Sequence, residues 1–407
     1  MGGHHVEVPA AKQWEMPKSW MTTAIALMVV GLAGTVYGFV DASWRGWSNV
    51  LIAGVYFTGI CLGAAFQFAV YSFVNGGWWI SVKRIMEAFT TFLPVPMVVM
   101  VLIGLFGMHD LYEWSIPEIM EHDTLLQKKK LLLNETGWMI RVLVYFGIWM
   151  TTTFLMRKFS RAQDVDPDPK YTLFNVRVGA IHTVLFALTV TFAALDWLSS
   201  LEPHWFSTIF GVYQFIGMFV CAASTLILFI LSMQRAGYLS WINEDHYHDL
   251  GKMMFAFGTF WAYIWVSQYL LIWYSNIPEE TGYYIVRNNH GWLAIFFLNL
   301  ACNWVIPFLV LLPRNNKRNP KVIGGVAGLL IFGHWLDLYL QVMPATSHFA
   351  AHHHGVDVHG PIFGLQEFGP ILLLGGLFIL TMGKMLGRAP LLARNDPYLQ
   401  EALNHHQ

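Results

Sequence analysis

Gly333-His334-Trp335-Leu336-Asp337-Leu338-Tyr339-Leu340-Gln341 lies inside an apolar run from about Val322 to Ala345. A helix of that length crosses a bilayer. An imidazole and a carboxylate in such a segment cost on the order of a few kcal/mol each if they stay charged and unpaired. They must therefore face protein or water. On a helix His334, Asp337 and Gln341 fall at i, i+3 and i+7, so they share one face of an otherwise greasy rod. Leu336-Asp337 is followed by Pro344 at the same interval as Leu195-Asp196 is followed by Pro203. That pairing anchors an internal repeat.

The rest of the chain has the composition such a helix requires. Of 407 residues, 56% are apolar, 16% aromatic and 12% charged, about half the charge of a soluble domain. Hydropathy predicts ten spans, near 20–40, 49–74, 79–107, 137–156, 178–198, 207–232, 251–275, 290–312, 322–345 and 362–386. Loops on the side of the termini hold 18 of the 24 Lys and Arg, which places both termini in the cytoplasm. Residues 1–19 and 387–407 are then cytoplasmic tails. The N-terminal tail is polar and the apolar run after it is too long for a signal peptide, so the first helix is expected to stay in the protein. A net charge of −1, with basic residues scattered through loops, offers nothing to nucleic acid.

Three further matches extend the repeat. Gly54-Val55-Tyr56 matches Gly211-Val212-Tyr213; Met86, Ala88, Phe89, Thr91 and Phe92 match Met254, Ala256, Phe257, Thr259 and Phe260; Gly137-Trp138 matches Gly291-Trp292. The expected fold is all-α: two four-helix bundles, spans 2–5 (49–198) and 6–9 (207–345), with flanking helices 20–40 and 362–386. An even number of helices per repeat gives both copies the same orientation.

On the non-cytoplasmic side the longest connection runs from His109 to Glu135. The stretch 347–360, with His348, His352, His353, His354 and His359, reads as a solvated loop or docking surface there. Cys61, Cys221 and Cys302 all fall inside spans with no C-x-x-C, so cysteine-held zinc, iron–sulfur clusters and covalent haem have no ligands. No metal site is expected.

The intramembrane polar residues sort by depth. Gln67, Lys83, Arg84, Glu87, His182 and Lys252 lie toward the cytoplasm. Arg141, Asp196, His290, His334, Asp337, Gln341, Gln366 and Glu367 lie toward the outside, with Asn299 and Asn303 between. Acids, histidines and amides at these depths suit two half-channels for protons, with Glu87, His182, Asp196, Asn299, Asn303, His334 and Asp337 as candidates. A quinol site near Arg141, His334, Asp337 and Tyr339 suits them too, since a quinol needs a proton acceptor and a donor in a pocket open to lipid. Structural ion pairs are the third reading. Haem ligation fits poorly, because no span carries two deep histidines.

The run from Asp196 to Tyr213, Asp-Trp-Leu-Ser-Ser-Leu-Glu-Pro-His-Trp-Phe-Ser-Thr-Ile-Phe-Gly-Val-Tyr, and the run His334-Trp335-Leu336-Asp337-Leu338-Tyr339 resemble the NrfD/PsrC-type membrane subunits. The nearest likeness is to the shorter such subunit (ActF) of alternative complex III, the bacterial quinol:cytochrome c oxidoreductase. The resemblance covers essentially the whole chain and carries over Asp196, His334 and Asp337 as motif positions. It implies an inner-membrane subunit of a respiratory enzyme, active only within its complex. No covalent cofactor is implied, and menaquinone or ubiquinone, as quinol, is the one small-molecule candidate. The implied partners are an iron–sulfur subunit, cytochrome c subunits, a sister NrfD-like subunit and lipid.

Overall fold

A computed structural model describes residues 12–289, 291–355 and 360–405. Of the positions singled out above, His290, His359 and the side chain of His354 lie outside the described residues. Ten helices are long and apolar enough to cross a membrane: α1 (Lys18–Asp41), α2 (Ser43–Phe73), α3 (Lys83–Leu111), α4 (Glu135–Val165), α5 (Lys170–Leu201), α6 (Phe210–Arg235), α7 (Glu244–Ser275), α8 (Trp292–Leu311), α9 (Pro320–His353) and α10 (Leu365–Leu386). No strand occurs among the described residues. The chain is a multi-pass membrane protein.

Helices α2 and α6, which carry the Gly-Val-Tyr match, are the most buried of the ten. They pack on each other where Gly59 and Gly63 admit Met218: a Cβ on Gly63 would stand 2.5 Å from the Met218 carbonyl oxygen. Small residues let backbones approach where lipid supplies no hydrophobic drive. From α2 to α5 each helix touches the next and α5 returns to α2; α6 to α9 do the same, with α9 returning to α6. Helices α1 and α10 form a separate close pair on α2. Their seam is again glycine: a Cβ on Gly34 would meet the Leu365 carbonyl at 2.6 Å, and one on Gly376 the Ala24 carbonyl at 2.5 Å.

Several helices outrun the apolar segments that announce them. Helix α4 continues through Arg157, Lys158 and Arg161 to Val165, and α7 starts at Glu244, capped by the Asn243 side chain on the Asp245 and His246 N–H groups. Hydropathy registers only the part in hydrocarbon, whereas the backbone ladder runs on into the interface.

Helix α9 corrects one expectation outright. It passes Pro344 and reaches His353, so His348, His352 and His353 stand on a helix and not in a loop. Pro344 has no N–H to give the Leu340 carbonyl. The Arg287 Nε donates to that carbonyl at 3.0 Å, and Nη2 donates to the Gln341 carbonyl at 2.7 Å. A side chain from the short helix Pro278–Asn288 thus replaces the bond that proline removes and adds a second to the next carbonyl.

The His109–Glu135 connection is likewise structured. Short helical turns at Glu113–Ser115, Pro117–His122 and Thr124–Lys129 lie over the end of α5. Tyr112 donates to the Trp197 carbonyl at 2.9 Å and Trp114 to that of Ser200 at 3.0 Å. His204 meets Asp123 at 2.7 Å. At the opposite end the C-terminal segment packs back on the bundle: Leu391, Leu392 and Ala393 are buried, Asp396 pairs with Lys83 at 2.7 Å, and His405 with Asp249 at 2.6 Å.

Candidate functional site

The deep polar residues separate into groups on different helices. The largest centres on Asp337 of α9, which is 3% exposed. Its Oδ1 accepts from the Tyr213 hydroxyl of α6 and, at 2.8 Å, from Asn299 Nδ2 of α8. Gln341 Nε2, one turn along, donates to Oδ2 at 3.1 Å, and the Trp261 indole of α7 is a further donor. The network runs on in both directions. Gln214 donates to Gln341 Oε1 at 2.5 Å, and Asn303 Nδ2 donates to Asn299 Oδ1 at 2.6 Å and to the Gly333 carbonyl at 2.9 Å.

Local backbone chemistry explains why both asparagines face α9. Pro307 cannot donate to the Asn303 carbonyl four residues back. Helix α8 absorbs the loss in a π-helical turn over Ala301–Val305, a distortion that recurs at functional sites.

A cavity touches Asp337 on the side away from the termini, lined by Tyr213, Gln268, Tyr283, Tyr284, Arg287 and Gln341 among others, with a volume of about 10 Å³. That is room for about one water molecule. Beyond it Arg287 is 1% exposed. Its guanidinium lies over the Tyr283 ring at 3.4 Å and pairs with Glu202 at 2.7 Å. The Glu202 side chain is about a quarter exposed at the end of the bundle away from the termini.

The second group holds Asp196. Arg141 grips it through two bonds, Nε to Oδ2 at 2.8 Å and Nη2 to Oδ1 at 2.9 Å, and Tyr145 donates to Oδ2 at 2.8 Å. When Gly137 is laid on Gly291, Tyr145 falls on Asn299. Each of these residues donates to the acid of its own repeat. The repeats differ in charge: the counterpart of Arg141 is Ile295. Asp196 is an ion pair, whereas every hydrogen-bond donor on Asp337 is neutral.

The remaining candidates stand apart. Glu87 pairs with Arg84 at 2.8 Å and accepts from Ser160, while Arg84 also pairs with Asp164. Two carboxylates thus share one guanidinium, whose buried Nε has no hydrogen-bond partner. His182 has one bond, between Nδ1 and Thr152 at 2.7 Å, and its buried Nε2 has no partner. His334 is not hydrogen-bonded to Asp337; its ring lies 5.5 Å from that of Tyr56, against Gly217. Tyr339 turns away and donates to the Ile362 carbonyl at 2.5 Å. The structure therefore brings Asn299, Asn303, Asp337 and Gln341 together. It places Arg141 and Asp196, Glu87, His182, His334 and Tyr339 elsewhere. Among the described residues no group of three or more His, Cys, Asp or Glu is arranged for a metal.

Tyr213, Gln214, Arg287 and Glu202 belong to the site and were not among its sequence candidates. Tyr213 and Glu202 sit inside stretches quoted for other reasons. The repeat offset would have selected Tyr145 beside Asn299. Arg287 carries a weaker signal: a lone basic residue between two spans, matched to a proline more than fifty positions later.

No family model matches the chain. A curated protein of Nitratidesulfovibrio vulgaris (strain Hildenborough), described only as "Protein", is 21% identical over 201 residues, covering 43% of this chain and 50% of that one. The chain thus spans about half the length of the curated relative it matches.

Proposed function

We propose that the chain is a membrane subunit of a bacterial respiratory quinol oxidoreductase and provides part of a proton path coupled to quinol oxidation elsewhere in the complex. The path runs from Glu202 at the outer surface, past Arg287 and a one-water cavity, to Asp337 and the Asn299–Asn303 pair. One observation carries this reading. Asp337, unlike its repeat counterpart Asp196, is bound only by neutral donors and touches a cavity. Such an acid exchanges its proton without breaking an ion pair, and intramembrane acids in polar chains are the usual elements of proton relays. Glu87 and His182 are the candidates on the side of the termini, where Glu87 shares Arg84 with Asp164 and His182 has a single hydrogen bond.

Within this proposal the helices form two four-helix bundles plus a flanking pair, both termini lie in the cytoplasm, and the membrane is the bacterial inner one. The resemblance to NrfD/PsrC-type subunits supplies the partners: an iron–sulfur subunit, cytochrome c subunits and a sister subunit. The chain has no independent activity and no covalent cofactor. A quinol pocket built from Arg141, His334, Asp337 and Tyr339 is not adopted, because Arg141, Asp337 and Tyr339 hydrogen-bond to different partners and His334 packs on Tyr56.

The test is the intact complex in liposomes, driven by quinol, with wild type compared with Asp337→Asn. The proposal expects electron transfer within about two-fold of wild type and fewer protons released per electron. Loss of both together would assign the residue to quinol oxidation. No change in either would leave the chain a structural anchor.

A further inference from the structure

A second site lies at the other end of the molecule, where α1 and α6 diverge. The two helices are joined at the Trp20 indole, which donates to Ser232 Oγ at 2.7 Å and meets the Phe229 ring edge-on at 5.2 Å. Above this bridge a cavity of about 420 Å³ is lined by Trp20, Thr23, Leu228, Phe229 and Ile379 among others. Below it a cavity of about 630 Å³ is lined by Glu15, Lys18, Ser232, Arg235 and Tyr238 among others. Both include Ser19, Trp20 and Ser232. The two spaces adjoin across the Trp20–Ser232 bridge and together make a divided groove, apolar toward the membrane centre and charged at the surface.

We infer that this groove holds a glycerophospholipid of the leaflet on the side of the termini, with its phosphate between Lys18 and Arg235, its ammonium headgroup at Glu15 and an acyl chain beside Leu228 and Phe229. Three features carry the assignment. Lys18 and Arg235 are exposed, and neither forms an ion pair with a described carboxylate, whereas Lys83 at the same end is neutralised by Asp396. Basic pockets between membrane helices at this level bind lipid headgroups. The depth also fits. Leu228 is seven residues from Arg235 along α6, about 10 Å at 1.5 Å per residue, which sets the apolar cavity within reach of the first carbons of a chain. Finally, the charged part is lined by Lys18, Arg235 and a single carboxylate, Glu15, with Lys12 beside it over the Tyr238 ring. A phosphate paired with an ammonium group matches that arrangement, whereas a purely anionic headgroup leaves Glu15 facing like charge. The lipid class is phosphatidylethanolamine.

The experiment is native mass spectrometry of the full chain in neutral detergent, stripped of lipid and titrated separately with phosphatidylethanolamine, phosphatidylglycerol and ubiquinone. Phosphatidylethanolamine is expected to bind at one saturable site at least ten-fold more tightly than the other two. The double variant Lys18→Glu, Arg235→Glu should weaken that binding ten-fold or more, and Glu15→Gln should erase the preference over phosphatidylglycerol. Both variants alter exposed side chains and leave the core untouched. Absence of a saturable site overturns the inference. So does preference for phosphatidylglycerol or ubiquinone in the wild type, or unchanged binding in the double variant.

Discussion

Arg287 shows how one side chain couples the fold to the site. It supplies donors to two carbonyls around Pro344, stacks on Tyr283 and pairs with Glu202, all while 1% exposed. Removing one partner of a buried ion pair costs about 3–5 kcal/mol, and the partly exposed Glu202 side chain sets the loss here at the lower end. Arg287→Met is expected to destabilise the purified chain by that amount, read as a lowered thermal midpoint, with protease sensitivity appearing near Pro344. Arg287→Lys should recover little of the loss. A single ammonium cannot reproduce a planar fork aimed at several acceptors. Recovery to wild-type stability by lysine would show that charge alone is needed.

Among elements, the segment from Tyr112 to Leu133 has a pH dependence of its own. It is held by Asp123, which caps the helix Thr124–Lys129 and pairs with His204. Partial burial raises the Asp123 pKa, but the Leu126 and Leu125 N–H groups and then His204 outweigh it, and the net shift is downward. A folded value below the unfolded value, about 3.9, makes the stabilisation complete above that pH. The stabilisation is lost as pH falls through the folded value. Hydrogen-exchange protection factors of this segment, with the intrinsic pH dependence of exchange divided out, should therefore be flat from neutral pH down to about 4 and fall below it, with the acid-dependent fall absent in Asp123→Asn. The same segment marks where sequence reading stopped. Ten apolar runs and the Asp196/Asp337 repeat are legible because hydrocarbon demands continuous apolar helices and because matched helices keep their spacing. The extension of α9 past Pro344 was not legible, since the bond that repairs it comes from a residue more than fifty positions away. Nor was the division of the polar residues into separate groups. Depth along a helix can be counted from sequence, but which neighbour a side chain turns toward is set by packing. His334 and Tyr339 flank Asp337 and bind elsewhere for that reason.

For the whole molecule, the two repeats differ in charge: one acid is locked to Arg141, and the other is held by neutral donors, which in the proposed path leaves it free to exchange. Orientation is the global property on which a path across the membrane depends. Leu131 is 95% and Val165 88% exposed, at opposite ends of the molecule, and the native cysteines are all buried. In right-side-out membrane vesicles a membrane-impermeant thiol reagent should label Leu131→Cys and spare Val165→Cys until the vesicles are opened. The reverse pattern would invert the proposed topology and put Glu202 on the cytoplasmic side.

The most direct test of the central claim is infrared difference spectroscopy of the complex as quinol is added, reading the carbonyl stretch of protonated carboxyl groups. Proton exchange at Asp337 predicts a band that changes with turnover, persists in Asp196→Asn and disappears in Asp337→Asn. A spectrum in which the Asp337→Asn complex keeps the same band would contradict the claim.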